Sequence, residues 1–130
     1  MAQGGIPPEV QRFIAENIDA AEQLDILLLL YRNRERSYTA LEVSQAVFTV
    51  PSAATLRLEG LVARGLLSST GGADPSYRYQ PATEELGRRA DQLAAVYQEN
   101  RVGVIQLLFA RPPDPLQTFA DAFRLKGKGS

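Results

Sequence analysis

The stretch VPSAATLRLEGLVARGLLSS, from Val50 to Ser69, indicates a helix that ends abruptly and is followed by a strand. The hydroxyl group of Ser52 can cap the start of this helix, which is predicted to continue to Arg64. Gly65 is the residue type that most readily takes the left-handed conformation at a helix end. Apolar residues recur along one side at helical spacing, so the helix is expected to pack on a core. These residues are Ala54, Leu58 and Leu61.

Two earlier helices are predicted from their starting residues. Thr39 and Glu42 have the spacing of a capping box, in which each side chain accepts a hydrogen bond from the other residue's backbone N–H. This box predicts a helix from Ala40 to about Phe48. The pair Asp19 and Glu22 has the same spacing and is expected to open the helix that carries LDILLLLYRNRER. Its nearly continuous apolar run predicts burial on most sides.

Strands and a long helix are predicted after Gly65. The segments LLSS and SYRYQ have the pattern of two short strands, and the loop TGGADP between them is rich in turn-forming residues. One long helix is expected from Thr83 to about Ala110, where RPPDP ends it. The predicted fold is therefore mainly α with a small β-hairpin. We expect a helical core with its hairpin in residues 1–82, and a C-terminal helix with an amphipathic tail in residues 83–130.

The composition excludes several kinds of site. The 130 residues include no Cys and no His, which removes thiol nucleophiles, imidazole bases and the usual zinc ligands. The loop TGGADP lacks the Lys-Ser or Lys-Thr that follows in a phosphate-binding loop. Glu84 and Glu85 are adjacent, so we interpret them as favourable charges in the first turn of a helix. We expect no enzyme activity, no cofactor and no metal.

Charge and hydropathy indicate where such a chain acts. The net charge is −1 at pH 7, whereas dedicated nucleic-acid binders are usually basic, so any phosphate-binding surface must be a local patch. The first ten residues do not have the pattern of a signal peptide. The longest apolar run, Ile26 to Tyr31, is too short to span a bilayer. We expect a bacterial or archaeal cytoplasmic protein that does not bind membranes.

The segment YTALEVSQAVFTVPSAATLRLEGLVARGLLSS resembles the helix-turn-helix core of winged-helix transcription regulators such as MarR-like proteins, and the whole chain resembles a group of small bacterial winged-helix proteins. In the first helix of the motif, Val43, Ser44 and Val47 match the family pattern. The similarity covers Asp19 to about Gln80, with SSTGGADPSYRY as the wing. It departs at Phe48, where the family often has Gly. The second helix and its end match at Ala54, Leu58, Leu61, Gly65 and Leu66.

This resemblance implies a function in DNA binding. The helix from Ala53 to Arg64 would be the recognition helix in the major groove, and the wing from Gly71 to Arg78 would contact the DNA backbone. The candidate DNA-binding residues are Ser52, Thr55, Leu56, Arg57 and Arg64 on or beside that helix, Arg78 in the wing, and Arg32, Arg34 and Arg36 in the preceding cluster. The cluster has a second interpretation, as a solvated loop. The exposed helix face is also small and nearly uncharged, so an alternative function is a protein-binding adaptor that uses Ala53, Leu56 and Gly60.

The long C-terminal helix has a heptad pattern. Residues spaced alternately by four and three form one seam, and a polar Asn within it can fix the register of a coiled coil. The seam predicts a homodimer, which the resemblance also implies, or a helix that packs back on its own domain. A mixed arrangement, with one face on the domain and another on a second copy, is a third interpretation. The members of the seam are Leu86, Ala90, Leu93, Tyr97, Asn100, Val104 and Leu107. The tail stripe of Leu116, Phe119 and Phe123 also needs cover, for which a partner subunit is expected.

Overall fold

The computed structural model describes residues 5–110, apart from the side chain of Ala110. The predicted RPPDP break and the tail stripe lie outside these residues. Six helices and three strands follow one another along the described chain. They are α1 (Pro8–Asn17), α2 (Ala21–Arg32), β1 (Tyr38–Thr39), α3 (Ala40–Val47), α4 (Pro51–Ala63), β2 (Leu67–Ser69), β3 (Ser76–Tyr79), α5 (Glu84–Glu99) and α6 (Arg101–Ala110).

The core is built around α2, which packs against α3 and α4. The nearly continuous apolar run of α2 is buried as predicted, and its buried residues include Leu24, Ile26 and Leu27. The inner side of α4 is also the predicted one. Its three buried residues are Ala54, Leu58 and Leu61. The mainly α architecture with a hairpin wing is confirmed.

One of the three predicted helix caps is present. Thr39 Oγ1 accepts a hydrogen bond from Glu42 N at 3.1 Å, and Glu42 Oε1 accepts one from Thr39 N at 2.9 Å. The other two caps were wrong. The N-cap of α2 is Ala20, because the Asp19 N–H donates to Gln23 Oε1 at 2.7 Å instead of starting the helix. Pro51 occupies the first helical position of α4, where its fixed φ favours an early start, so Ser52 lies inside the first turn.

The turn between α3 and α4 depends on an unusual residue. Phe48 ends α3 in the left-handed conformation, with φ 61° and ψ 51°, which the family's frequent Gly would adopt without strain. A bulky side chain is unfavourable there because its Cβ approaches the following carbonyl oxygen. The ring gains no packing in return, since 93% of it is exposed. The turn itself is nevertheless closed, because Thr49 N donates to Ser44 O at 2.9 Å.

The wing is part of a three-stranded antiparallel sheet with the order β1-β3-β2. In the predicted hairpin, Leu67 pairs with Tyr79 and Ser69 pairs with Tyr77. Sequence analysis missed β1, because two residues are too few to show a strand pattern. Gly65 has φ 81°, which confirms the predicted left-handed stop after α4.

A buried tyrosine joins the wing to α4. The ring of Tyr77 is fully buried, and its hydroxyl group donates a hydrogen bond to the Glu59 carboxylate. Burial and this contact with a negative charge raise the pKa of Tyr77 to about 12. Burial, with a smaller effect from the Asp91 charge, also raises the pKa of Tyr79 to about 12. The sheet and α4 are therefore joined by a tyrosine hydroxyl group that stays protonated and donates to a carboxylate.

The predicted single C-terminal helix is broken into two. Asn100 leaves the helical conformation, with φ −142° and ψ 61°. Its Oδ1 accepts a hydrogen bond from Gly103 N at 3.0 Å, so Asn100 acts as the cap of α6. A Cβ atom on Gly103 would lie 2.4 Å from Asn100 Nδ2, so glycine makes room for this cap. The heptad spacing continues across the break, and spacing alone gives no sign of a local helix cap. The prediction of one long helix therefore missed the break.

Most residues of the predicted seam are buried in the chain's own core. Its central members are buried without a second copy: Ala90, Leu93, Tyr97 and Val104. Leu86 and Leu107 are partly buried and pack against the same core. The Leu86 side chain also lies against Gly65, where an added Cβ would be 3.2 Å from Leu86 Cδ1. For these residues the structure shows the packing that the second interpretation predicted.

Replacing Phe48 with Asn should stabilise the protein by about 1 kcal/mol, because Asn tolerates the left-handed conformation better and an exposed ring loses no packing. Urea unfolding measures this as a higher midpoint with an unchanged slope. Gln45→Asn, at an exposed position inside α3, is the control and should not stabilise. A lower free energy of unfolding for the Phe48 variant would contradict the strain.

Alkaline pH should destabilise the protein between about pH 10 and pH 12. Tyr77 and Tyr79 have raised pKa values near 12 when folded and the ordinary value of 10.0 otherwise, so their stabilising contribution is complete below pH 10 and disappears as the pH rises through 12. Phenolate absorbance at 295 nm, followed together with circular dichroism, measures both events. Tyr77→Phe should remove one late titration and make stability fall less steeply. Titration of all five tyrosines near pH 10 in a folded protein would contradict this.

Candidate nucleic-acid interface

The outward side of α4 presents hydroxyl groups and one large apolar side chain. Ser52 and Thr55 are exposed in the first half of the helix, and Leu56 is 67% exposed beside them. All three were predicted on this face. Ala53 and Gly60 are half-buried, so the face available to a ligand is narrower than the sequence indicated. Glu59 is engaged by Tyr77, so its carboxylate already has a structural partner.

The two arginines of α4 turn away from the outward side and towards the start of α2. Arg57 Nε lies 3.1 Å from Glu22 Oε1, and Arg64 Nη2 lies 3.1 Å from Asp19 Oδ1. We refer to Asp19 and Glu22 as the acidic pair. The sequence identified both arginines as candidate DNA contacts but did not show that carboxylates 35 and 45 residues earlier would meet them.

Glu22 also holds the turn of the helix-turn-helix. A hydrogen bond from the Thr49 side chain is the main cause that lowers the pKa of Glu22, and the Arg57 guanidinium adds to it against the opposing effect of burial. The carboxylate is therefore shared between Thr49 and Arg57 on α4. Protonation of Glu22 would weaken both contacts.

Gln23 fixes the same junction without a charge. The side chain is 1% exposed, accepts from Asp19 N at 2.7 Å, and donates from Nε2 to Arg57 O at 3.4 Å. Gly60 permits the close approach, because an added Cβ would lie 3.0 Å from Gln23 Nε2. The start of α2 and the middle of α4 are thus held together by backbone contacts as well as by ion pairs.

A second group of arginines lies beyond the other end of α2. The Arg34 guanidinium carbon lies 4.4 Å from the ring centre of Tyr31 and 5.2 Å from that of Tyr79. Arg78 Nε donates to Arg34 O at 3.2 Å, so the structure brings these two predicted arginines together. This group is therefore ordered by aromatic and backbone contacts.

The other two arginines of the predicted cluster have different surroundings. The Arg36 guanidinium carbon lies 3.9 Å above the Tyr38 ring, and its Nη2 is 3.3 Å from Glu42 Oε2. Arg32 is exposed in the last turn of α2. Two of the three arginines in the cluster, Arg34 and Arg36, therefore contact aromatic rings, and Arg36 also pairs with a carboxylate.

The predicted basic residues form two separate surfaces. Arg57 and Arg64 contact the start of α2, whereas Arg34 follows its end. The 12 residues of α2 span roughly 18 Å. A phosphate backbone could reach both surfaces, but no single patch contains all the predicted arginines.

Exposed apolar residues concentrate on the helix-turn-helix. Phe48 is 93% exposed and Val50 is 59% exposed, both at the turn, and Leu41 on α3 is 54% exposed. With Leu56 they are the large exposed apolar residues of α3, α4 and the turn between them. Sequence analysis identified Leu56 but missed the others, although a Phe at a position that often holds Gly was a usable signal.

Between residues 5 and 110, no group of His, Cys, Asp or Glu is arranged to hold a metal ion. No helix in that part of the chain is long and apolar enough by itself to cross a membrane. The bent pair α3 and α4, at 108° to each other, meets that test of length and composition when the two are taken together.

Solved structures show what this architecture resembles. The homodimeric winged helix-turn-helix DNA-binding domain Mb0332 of Mycobacterium bovis, a possible ArsR-family transcriptional regulator, superposes with a TM-score of 0.52 at 21% identity, over 75% of this chain and 86% of that one. The YusO protein of Bacillus subtilis superposes with a TM-score of 0.53 at 19% identity, over 95% and 86%. No protein-family model matches the chain, and no curated protein is significantly similar to it. The element order, the wing and these superpositions together give the chain a winged helix-turn-helix fold.

Proposed function

We propose that this winged-helix protein binds double-stranded DNA and acts as a dimeric transcriptional regulator in the cytoplasm. The observation that carries the proposal is the outward side of α4, which stays exposed while its inner side is fixed to α2, α3 and the wing. A helix held in this way can enter the major groove as a rigid unit. The similarity in fold to a DNA-binding domain supports the same function.

The exposed hydroxyl and apolar groups on the outward side of α4, together with its two partly exposed arginines, have roles that match DNA chemistry. Ser52 and Thr55 donate hydrogen bonds to phosphates or base edges near the helix start, where the helix dipole also favours negative charge. Leu56 contacts a thymine methyl group. On a mixed-sequence duplex, Arg57 and Arg64 each contact a phosphate when they leave their carboxylate partners, and at a specific site Arg57 reaches a guanine edge instead. The wing from Gly71 to Arg78 and the cluster of Arg32, Arg34 and Arg36 contact the flanking backbone.

The dimer contact that we propose differs from the predicted seam. Val102 and Phe109 are 66% and 78% exposed, and their spacing of seven residues places them on one side of α6. Ile105, between them, is only partly buried. Because Leu93, Tyr97 and Val104 are already buried, this side of α6 is the better candidate for contact with a second copy. A twofold dimer would present two recognition helices to a palindromic site.

A protein-binding adaptor is the second candidate function. It is favoured by the exposed apolar residues Leu41, Phe48, Val50 and Leu56, which suit a protein contact better than a phosphate contact. The engagement of Arg57 and Arg64 by carboxylates favours it as well. The two functions differ in whether the chain binds duplex DNA.

Fluorescence anisotropy with a mixed-sequence duplex at low salt tests the DNA proposal. We expect binding, and replacement of both Arg57 and Arg64 with Gln should reduce the slope of log affinity against log salt by about 1.8, because two phosphate contacts are lost. Arg12→Gln with Arg88→Gln, on α1 and α5, is a control with the same change of net charge. If the wild-type protein binds no duplex at low salt, the regulator proposal fails and the adaptor function remains.

Light scattering after size exclusion tests the dimer. The wild-type protein should have the mass of a dimer at micromolar concentration, and Val102→Gln with Phe109→Gln should give a monomer, because both side chains lose apolar contact area. Leu41→Gln removes an apolar side chain from α3 that is 54% exposed and should leave the mass unchanged. A wild-type monomer at high micromolar concentration would contradict the proposal.

A further inference from the structure

We propose that the acidic pair, Asp19 and Glu22, limits the DNA affinity of α4 by competing with DNA phosphates for Arg57 and Arg64. This inference rests on the proposed DNA-binding function and adds residues that determine its strength. The competing carboxylates are part of the same chain, so they already occupy Arg57 and Arg64 in the free protein.

The acidic pair engages all the basic residues of the recognition helix. Arg57 and Arg64 are the two cations between Pro51 and Gly65, and each makes its ion pair at 3.1 Å. They are seven residues apart and so lie on one side of α4. Asp19 and Glu22 are three residues apart at the start of α2, which sets both carboxylates against that side. The arrangement neutralises the local positive charge of the helix.

These ion pairs can be exchanged for contacts with DNA. The side chains of Arg57 and Glu22 are 28% and 32% exposed, and those of Arg64 and Asp19 are 30% and 50% exposed. Ion pairs with this access to water contribute little net free energy, so they hold the arginines weakly. An open cleft between α2 and α4, lined by Asp19, Arg57 and Arg64 among others, gives a ligand access to the guanidinium groups. DNA binding must then displace two carboxylates and leave them close to the phosphates.

The junction does not need its charges to keep its geometry. Gln23 is buried and joins the Asp19 backbone to the Arg57 backbone, and Gly60 allows its close approach. Leu24 and Leu58 are fully buried in the core that both helices share. Neutral substitutions of the acidic pair should therefore leave α4 in place. In the variant Glu22→Gln, the side-chain oxygen can still accept a hydrogen bond from Thr49.

The test uses a double variant, Asp19→Asn together with Glu22→Gln, which is compared with the wild-type protein in the same duplex titration. Affinity at 50 mM salt should rise about tenfold, because the two arginines then reach phosphates without leaving carboxylates and no carboxylate remains beside the phosphates. The control combines Glu9→Gln on α1 with Glu99→Gln on α5, which changes net charge equally. An equal gain in that control would overturn the inference, since net charge alone would explain it.

A double-mutant cycle assigns the effect to the named contacts. In a background with Arg57→Gln and Arg64→Gln, neutralising the acidic pair should give no more gain than the control, because no cation remains to be released. A gain that persists in that background would overturn the inference. Circular dichroism melting verifies the fold of each variant, and Asp19→Asn alone, which affects Arg64, provides the test if Glu22→Gln prevents folding.

The outcomes separate this inference from the proposed function. Wild-type binding with an unchanged affinity in the neutralised variant overturns the inference and leaves DNA binding intact. Binding by the neutralised variant alone would mean that the acidic pair prevents DNA binding instead of limiting it, so the proposed function fails for the wild-type protein and the inference fails with it. No binding by either protein overturns both.

Discussion

The junction between the start of α2 and the middle of α4 is the contact on which the rest of the molecule depends. Gln23 bonds to the backbone on both sides of it, and Glu22 connects the turn at Thr49 to Arg57. The two buried helices meet there through leucines with no exposed surface. Because α4 is fixed at this junction and by Tyr77 on its other side, its outward face has one orientation relative to the wing.

The turn shows how the fold tolerates local strain. Phe48 holds a conformation that costs a bulky residue about 1 kcal/mol, yet the capping box of α3 and the hydrogen bond from Thr49 N to Ser44 O define the backbone on either side of it. The chain thus keeps the helix-turn-helix geometry without a glycine, which would adopt this left-handed conformation without strain. The consequence is a nearly fully exposed ring at the centre of the motif. The ring adds no packing to the fold and is unfavourable in water, so this position is better suited to contact with a partner.

Sequence patterns predicted the features that depend on local rules. The capping box at Thr39, the buried side of α4 and the Gly65 stop each follow from spacing and residue type, and each is present. The missed features depend on residues far apart in sequence. The partners of Arg57 and Arg64 lie 35 and 45 residues away, and β1 exists because β3 pairs with it. The break at Asn100 was a local signal that the heptad spacing obscured, since an Asn three residues before a Gly fits a seam and a cap equally well.

The distribution of charge explains why this sequence indicates its fold much more clearly than its affinity for DNA. A net charge of −1 leaves no general attraction to DNA, so affinity must come from particular arginines. Several of these also have structural roles: Arg57 and Arg64 bind the acidic pair, and Arg34 and Arg36 cover tyrosine rings. A guanidinium group that stabilises the free protein must exchange one partner for another when it binds a phosphate, and the net gain is the difference between the two contacts. The winged-helix shape therefore fixes where DNA would lie, whereas the competition for each arginine determines how strongly it would be bound.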